Sequence, residues 1–246
     1  MAETDFGYRR VEPEEHARLV RGVFDSVASK YDLMNDLMSG GLHRAWKATL
    51  MNWLNPRPGH TLIDLAAGTG DIAIRFMRRV DGNGVAILCD ANESMLRVAV
   101  DRGLDAGIAS GMRHVVADAA DLPLARGIAD HCTIAFGLRN VTRRADALAE
   151  ARRILAPGGH FLCLEFSRVV VPVLRELYDV YSHRVLPALG QIVAGDREAY
   201  QYLVESIRRF PDQPTLAREI ADAGFANVSF RNLSAGIVAI HSGWRI

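Results

Sequence analysis

From residue 60 to the end, short apolar runs alternate with stretches whose apolar residues recur every three or four positions. The runs predict strands and the spaced stretches predict helices. Thr61–Leu65 predicts a first strand, and Asp71–Arg79 a helix with Ile72, Ile74, Phe76 and Met77 on its apolar side. Val85–Cys89, ending at Asp90, predicts a second strand, followed by a helix over Glu93–Arg102 with Met95, Leu96 and Val98 inward. Arg113–Val116 and His131–Phe136 predict the third and fourth strands. A helix over Arg143–Leu155 is stopped by Pro157-Gly158-Gly159, and His160–Glu165 predicts the fifth strand. Ser167–Phe210 then breaks the alternation and reads as a helical insertion covering a pocket. One of its stripes carries Leu174, Leu177, Tyr178 and Tyr181, and another Tyr200, Leu203, Val204 and Ile207. Helix Gln213–Ala223, strand Asn227–Leu233 and strand Ile237–His241 close the chain, and the short turn at Ala235-Gly236 makes the last two strands antiparallel.

The N-terminal part differs. Residues 1–15 are polar and read as a flexible arm, ending in Glu12-Pro13-Glu14-Glu15, which can open a helix. From His16 to Trp53 the pattern is helical, with Leu19, Val23, Val27 and Tyr31 at i, i+4 spacing and Leu33, Met34, Leu37 and Met38 continuing the face. Ser39-Gly40-Gly41 interrupts it, and Leu42–Leu54 forms a second helix before the Asn55–Gly59 turn. The expected architecture is α/β: a Rossmann-like, mostly parallel seven-stranded sheet with an antiparallel last strand. Residues 1–59 form an arm and helical cap, residues 60–246 carry the sheet with an insertion at about 167–210, and the whole is effectively one domain.

Composition narrows the function classes. A chain of 246 residues with 29 basic and 29 acidic side chains has no net charge, which argues against nucleic acid as a partner. No run reaches the roughly 18 apolar residues of a membrane span, and the N-terminus lacks a signal-peptide core, so a cytoplasmic protein is expected. Cys89, Cys132 and Cys163 fall inside apolar runs without metal-ligand spacing; they read as buried thiols, and no metal site is expected.

The chemistry centres on Asp64-Leu65-Ala66-Ala67-Gly68-Thr69-Gly70-Asp71. A buried strand, a glycine turn and a helix in that order build a nucleotide pocket in open α/β sheets. Gly68 and Gly70 allow a sharp turn and close approach to a ligand. Gly68-x-Gly70-x-x-Ala73 also fits a dinucleotide fingerprint, so a nicotinamide-dependent oxidoreductase is the alternative. Asp90, ending strand two, suits a ribose in either case. Asp64 favours S-adenosylmethionine, because a carboxylate there supports an α-amino group directly or through water, whereas a pyrophosphate would be repelled. Asp118-Ala119 suits an adenine, the carboxylate accepting from the exocyclic amine and the alanine leaving room. The closing antiparallel hairpin points the same way, toward the class I methyltransferase topology. Against these readings, Asp118 and Asp121 could be helix N-caps, and Asp90 could cap the helix beginning near Glu93.

Two further blocks carry a family resemblance. Tyr31-Asp32-Leu33-Met34-Asn35, with Ser39, His43 and Trp46, resembles the N-terminal signature of the ubiquinone/menaquinone biosynthesis C-methyltransferases. Arg153–Gly159 running to Leu164-Glu165-Phe166-Ser167 resembles the second signature, departing at Ala156 where Lys is usual. Phe136–Val141 and Ser206–Gln213 are similar to other stretches of that family. The resemblance implies S-adenosylmethionine-dependent methylation of a ring carbon on a polyprenylated benzoquinol or demethylnaphthoquinol. It implies cofactor positions at Thr69, Asp90, Asp118 and Ala119, while a serine contact of some members is replaced by Ala135.

A ring carbon becomes nucleophilic when a neighbouring hydroxyl loses its proton, and phenols titrate near pH 10, so the site must favour the phenolate. Arg139, just past strand four, is expected to face the methyl-bearing end of the cofactor and stabilise the phenolate or hold a water. Its alternative is a surface salt bridge. Asn140 is expected to orient the quinol oxygens. Tyr31, His43, His183 and Asp118 are the candidate proton acceptors, and the spacing does not choose among them. The apolar stripes of cap and insertion would line a channel for the polyprenyl tail. A peripheral membrane contact, a quinone-biosynthesis complex and a homodimer are compatible partners, and a non-catalytic scaffold of the quinone pathway is the remaining alternative.

Overall fold

The computed structural model describes residues 4–27, 36, 39–171 and 197–246. Tyr31, Leu33, Met34, Leu37, Met38, Leu174, Leu177, Tyr178, Tyr181 and His183 lie outside the described residues. The elements run β1 (Thr4–Phe6), β2 (Arg9–Val11), α1 (Pro13–Val27), α2 (Leu42–Leu54), β3 (Thr61–Leu65), α3 (Asp71–Arg79), β4 (Val85–Asp90), α4 (Glu93–Asp105) and β5 (Met112–Val116). They continue through β6 (Ala129–Ala135), α5 (Arg144–Ile154), β7 (Leu155–Phe166), α6 (Arg197–Arg209), α7 (Gln213–Asp222), β8 (Ala226–Leu233) and β9 (Val238–Trp244).

Seven strands form one sheet in the order β5-β4-β3-β6-β7-β9-β8. Every pairing from β5 to β7 is parallel, and β9 runs antiparallel to both of its neighbours, as the sequence predicts. The strand order reverses at β3, with β4 and then β5 added on one side and β6 and then β7 on the other. The ends of these strands therefore open a crevice where ligands bind in such sheets.

β3 shows how the sheet is held. Leu62 points into the core beneath α2 and α3 with Trp46, Leu50, Phe76 and Met77. Ile63 and Leu65 point into the opposite core with Leu148, Ile154 and Ile220 from α5 and α7. A strand buried on both faces reads as a continuous apolar run, which Thr61–Leu65 does apart from Asp64. Caps set two helices: Asn92 Oδ1 accepts from Met95 N at 3.1 Å for α4, and Asp212 Oδ1 from Thr215 N at 3.0 Å for α7.

Three expectations are corrected. The arm is not loose: residues 4–11 form a hairpin whose Phe6 stacks on Tyr202 at 4.3 Å and whose Asp5 pairs with Arg209 at 2.7 Å. Its partners lie almost 200 residues away, so no local pattern announces it. Pro157-Gly158-Gly159 is not a free turn but the start of β7, held because Gly158 N donates to Arg245 O and Arg245 N to Gly159 O. The cap of α4 is Asn92 rather than Asp90, and no described helix starts at Asp118 or Asp121.

Cys89, Cys132 and Cys163 are free and buried, as expected, and burial raises all three thiols, Cys89 to about 12. Among the described residues no helix is long and apolar enough to cross a membrane, and no group of side chains is placed to hold a metal ion.

Candidate functional site

A cavity of about 430 Å³ opens at the carboxyl ends of β3, β4, β5 and β6, and α1 lies over it with Val20, Arg21 and Phe24. The backbone turns sharply where β3 and β6 stop. Ala66 (φ 48°) and Phe136 (φ 58°) both adopt the left-handed conformation that side chains resist, a strain that concentrates at functional sites. Gly137 fits between them only because it lacks a Cβ, which would stand 2.5 Å from Ala66 Cβ. Gly68 (φ 54°) faces the cavity, whereas a Cβ on Gly70 (φ 78°) would meet Ala99 and Leu88 at 3.0 and 3.1 Å. Gly70 is thus required by the packing of α3 against β4 and α4.

Asp90 ends β4 inside the cavity. Its Oδ1 accepts from Asn92 N at 2.8 Å and its Oδ2 from Gly68 N at 2.7 Å, tying the glycine turn to the neighbouring strand. Burial raises its pKa, and the two N–H groups act against that rise. Asp118 and Ala119 also line the cavity; Asp118 Oδ1 accepts from Ala120 N at 2.9 Å and its Oδ2 takes Arg143 at 3.2 Å. Thr69 is buried outside the lining, with its hydroxyl accepting from Arg102 Nη1 at 2.6 Å.

Asp64 lies two residues before the turn and is 1 % exposed. Thr133 Oγ1 donates to its Oδ1 at 2.7 Å, while its Oδ2 is buried with no hydrogen-bond partner. Burial lifts this carboxyl to about 7, against the opposing pull of Thr133 and of the Lys47 charge. Lys47 is itself committed to Asp71 Oδ2 at 2.9 Å, and Arg75 takes the other oxygen at 3.0 Å. For Asp71 burial is also the largest influence, yet the two cations together outweigh it and hold the group at about 2.

Arg139 and Asn140 follow β6 in a single 3-10 turn, Leu138–Asn140. Arg139 turns away from the cavity: its Nη1 donates to Phe136 O at 2.6 Å and to Glu165 Oε1 at 2.7 Å, and the guanidinium lies 5.4 Å from the Phe166 ring centre. The ion pair offered as its alternative role exists, but inside the protein rather than on the surface. Asn140 lines the cavity, and its Oδ1 accepts from Tyr202 Oη at 3.0 Å. His43 Nε2 bonds Asp36 at 2.8 Å and is not part of the cavity wall; burial lowers its pKa against the pull of Asp36. Tyr31 and His183 cannot be placed, being outside the described residues.

The structure therefore brings Gly68, Asp90, Asp118, Ala119 and Asn140 to one cavity, with Asp64, Thr69, Gly70 and Arg139 packed around it. α1 roofs the cavity as part of the expected helical cap, but sequence reasoning missed the bonds that strap it down, His16 Nδ1 to Thr142 Oγ1 at 2.7 Å and Asn92 Nδ2 to Asp25 Oδ1 at 2.8 Å. It also missed Glu165 and Tyr202 as partners of the Arg139-Asn140 turn. Glu165 had a usable signal, since a carboxylate inside the apolar run Phe161–Phe166 needs a cation. Tyr202 had none, because it lies off the stripe of its helix.

These residues fit S-adenosylmethionine. A buried carboxylate with one free oxygen beside the glycine turn suits an ammonium group, Asp90 suits a ribose, and Asp118-Ala119 suits an adenine.

Comparison with known proteins agrees with that fit. Residues 11–245 match the ubiE/COQ5 methyltransferase family. A Paracoccus denitrificans protein named ubiquinone/menaquinone biosynthesis C-methyltransferase UbiE is 56 % identical, over 99 % of this chain and 97 % of its own length. The Danio rerio mitochondrial 2-methoxy-6-polyprenyl-1,4-benzoquinol methylase is 47 % identical, over 99 % of this chain and 84 % of its own. Among solved structures, a SAM-dependent methyltransferase from Thermotoga maritima superposes with a TM-score of 0.66 at 18 % identity, over 92 % of this chain and all of the other, which supports the fold alone.

Proposed function

Since the chain belongs to the ubiE/COQ5 methyltransferase family, and is an S-adenosylmethionine-dependent C-methyltransferase of quinone biosynthesis, we propose that the cavity roofed by α1 binds both the methyl donor and a polyprenylated quinol. The supporting observation is the convergence of Asp90, Asp118-Ala119 and Asn140, from three strand ends, on one cavity. Family membership removes the nicotinamide oxidoreductase left open by Gly68-x-Gly70-x-x-Ala73, and the non-catalytic scaffold with it.

Asp90 would hold the ribose hydroxyls, Asp118 and Ala119 the adenine, and Asp64 the ammonium group. Thr69 supports the turn through Arg102. Bound S-adenosylmethionine supplies a methyl group on a positively charged sulfur, open to displacement by a carbon nucleophile. The protein's part is to hold the ring in line and to favour the phenolate over the phenol. Asn140 meets a ring oxygen. Arg139, neutralised by Glu165, fixes the turn that carries Asn140 rather than contacting the ring. Phe24 and Val20 of α1 offer apolar surface to the ring.

Benzoquinols and demethylnaphthoquinols are both accepted in this reading, because the apolar side chains Val20 and Phe24 contact the ring without reading its fusion. The long apolar tail of such substrates makes a peripheral contact with the cytoplasmic membrane surface the expected location. Quinone profiling of a strain lacking its own enzyme, complemented with this chain, tests the reading. Restoration of both methylated quinones supports it, restoration of one narrows the substrate class, and restoration of neither overturns it.

A further inference from the structure

We propose that Tyr202 is a positioning residue: its hydroxyl fixes the Asn140 side-chain amide with the oxygen turned away and the NH₂ presented to the cavity. The site is thereby committed to donating hydrogen bonds to an electron-rich oxygen of the substrate. The inference deepens the methyl-transfer reading and rests on it.

The geometry comes from three elements distant in sequence. Asn140 ends the 3-10 turn after β6, and its backbone N–H is taken by Gly137 O at 3.0 Å, so the turn itself is fixed. Tyr202 comes from α6, is 6 % exposed and points its Oη at Asn140 Oδ1 at 3.0 Å. Phe6 of the N-terminal hairpin stacks on the Tyr202 ring with centroids 4.3 Å apart and planes 17° from parallel. A tyrosine hydroxyl has one proton to give, and here it goes to the amide oxygen. Asn140 lines the cavity and Tyr202 does not, so with the oxygen held by Tyr202 the amide nitrogen and its two N–H groups are the end left for the cavity.

Burial raises the Tyr202 phenol well above its ordinary range, with Arg139 pulling it down and Glu165 pushing it further up. A phenol raised in this way is protonated around neutral pH, so the hydroxyl is a donor there. A flipped amide would donate to the Tyr202 oxygen instead, leaving the buried phenol proton without its amide acceptor and the amide oxygen toward the substrate. An acceptor there would repel a forming phenolate; a donor stabilises it. Substrate chemistry follows: the group held by Asn140 is an oxygen that gains negative charge, not a hydroxyl that must donate.

The test is a double-mutant cycle at Asn140 and Tyr202, read by kcat, KM and the pH profile of kcat. Tyr202→Phe keeps the ring on Phe6 and removes only the hydroxyl. It should lower kcat about 10-fold with KM for S-adenosylmethionine unchanged, and Asn140→Ala should lower kcat about 100-fold, as for a lost charge-stabilising donor. The double variant should be no slower than Asn140→Ala alone, because Tyr202 acts only through the amide. Both single variants should move the acidic limb of the kcat profile to higher pH. Asn140→Asp, which keeps an acceptor for Tyr202 but has no N–H to give, should lose as much kcat as Asn140→Ala and serves if Tyr202→Phe does not fold. Wild-type kcat in Tyr202→Phe, additive losses in the double variant, or full activity in Asn140→Asp would each overturn the inference. Absence of methyl transfer by the wild-type protein would instead overturn the functional reading beneath it.

Discussion

Arg139 Nη1 and Glu165 Oε1 lie 2.7 Å apart with their side chains 5 % and 1 % exposed, an ion pair held behind the wall of the cavity. Two of its other bonds are to the backbone: Arg139 Nη1 donates to Phe136 O, and Phe166 N donates to Glu165 Oε1 at 2.9 Å. The pair thus clamps the end of β6 to the end of β7. Arg139→Ala would leave a buried carboxylate without its cation, a loss of about 3–5 kcal/mol. Urea unfolding should show that loss as a lower midpoint with an unchanged slope. A variant within about 1 kcal/mol of wild type would place the pair among solvated bridges instead.

Asp64 makes cofactor binding depend on pH. Its pKa of about 7 in the free protein stands above the ordinary carboxylate value, so it is protonated in the native protein below neutrality. An ammonium group meeting its free oxygen requires the carboxylate. Affinity for S-adenosylmethionine should therefore rise as pH increases toward 7 and level off above it, with a proton released on binding. Calorimetry in buffers of different ionisation heat reads that proton directly. Asp64→Asn should bind more weakly and lose the pH dependence; a dependence retained in this variant would assign it to another group.

The opposite end of the sheet predicts acid sensitivity. His60 Nδ1 lies 2.8 Å from His131 Nε2, and His160 stacks on Trp244 at 3.9 Å. Burial lowers His131 and His160 to about 4, with His60 and His160 lowering His131 further against the opposing pull of Asp130. These imidazoles are neutral in the native protein, while in the unfolded chain they take up protons below about 6.5. Between those values the unfolded state holds more protons, so stability falls as pH drops from about 6.5 toward 4. Chemical denaturation at stepped pH should show a falling midpoint across this window, and His131→Gln should reduce the slope. A flat wild-type midpoint would contradict the burial.

How much of this was legible in the sequence depends on where each residue's partners lie. The bounds of β3, α2 and α3 match to the residue, because an apolar run or a helical stripe bracketed by glycine turns is a local signal. Asp90 and Asp118 were legible for the same reason, since Asp90 ends β4 and Asp118 lies in the turn just after β5. The N-terminal hairpin was not, because its partners Tyr202, Glu205 and Arg209 belong to a helix far along the chain. The direction of Arg139 was hidden likewise. Its position after β6 suggested the cavity, but Glu165 on the adjacent strand captures it, and only the sheet order makes them neighbours. Gly70 was read as a ligand-approach glycine, and its tight contacts with Ala99 and Leu88 supply a packing reason that the motif does not reveal.

Asp90 offers a cleaner perturbation of the cofactor site than the turn itself. Removing its carboxylate in Asp90→Ala should weaken S-adenosylhomocysteine binding by about 1.5–3 kcal/mol, as for hydrogen bonds to a charged group. Part of that loss comes from Gly68 N, which the carboxylate holds at 2.7 Å. Calorimetric titration of wild type and variant measures the difference. Equal affinities would remove Asp90 from the binding site.

Transfer of a methyl group to a ring carbon of a quinol can be observed directly. The direct measurement incubates purified protein with S-adenosylmethionine carrying a deuterated methyl group and a reduced, polyprenylated demethyl-quinol, and locates the label by mass spectrometry and proton NMR. One deuterated methyl on a ring carbon is expected for each S-adenosylhomocysteine formed. A label on a ring oxygen, or no transfer from a protein that binds both ligands, would contradict it.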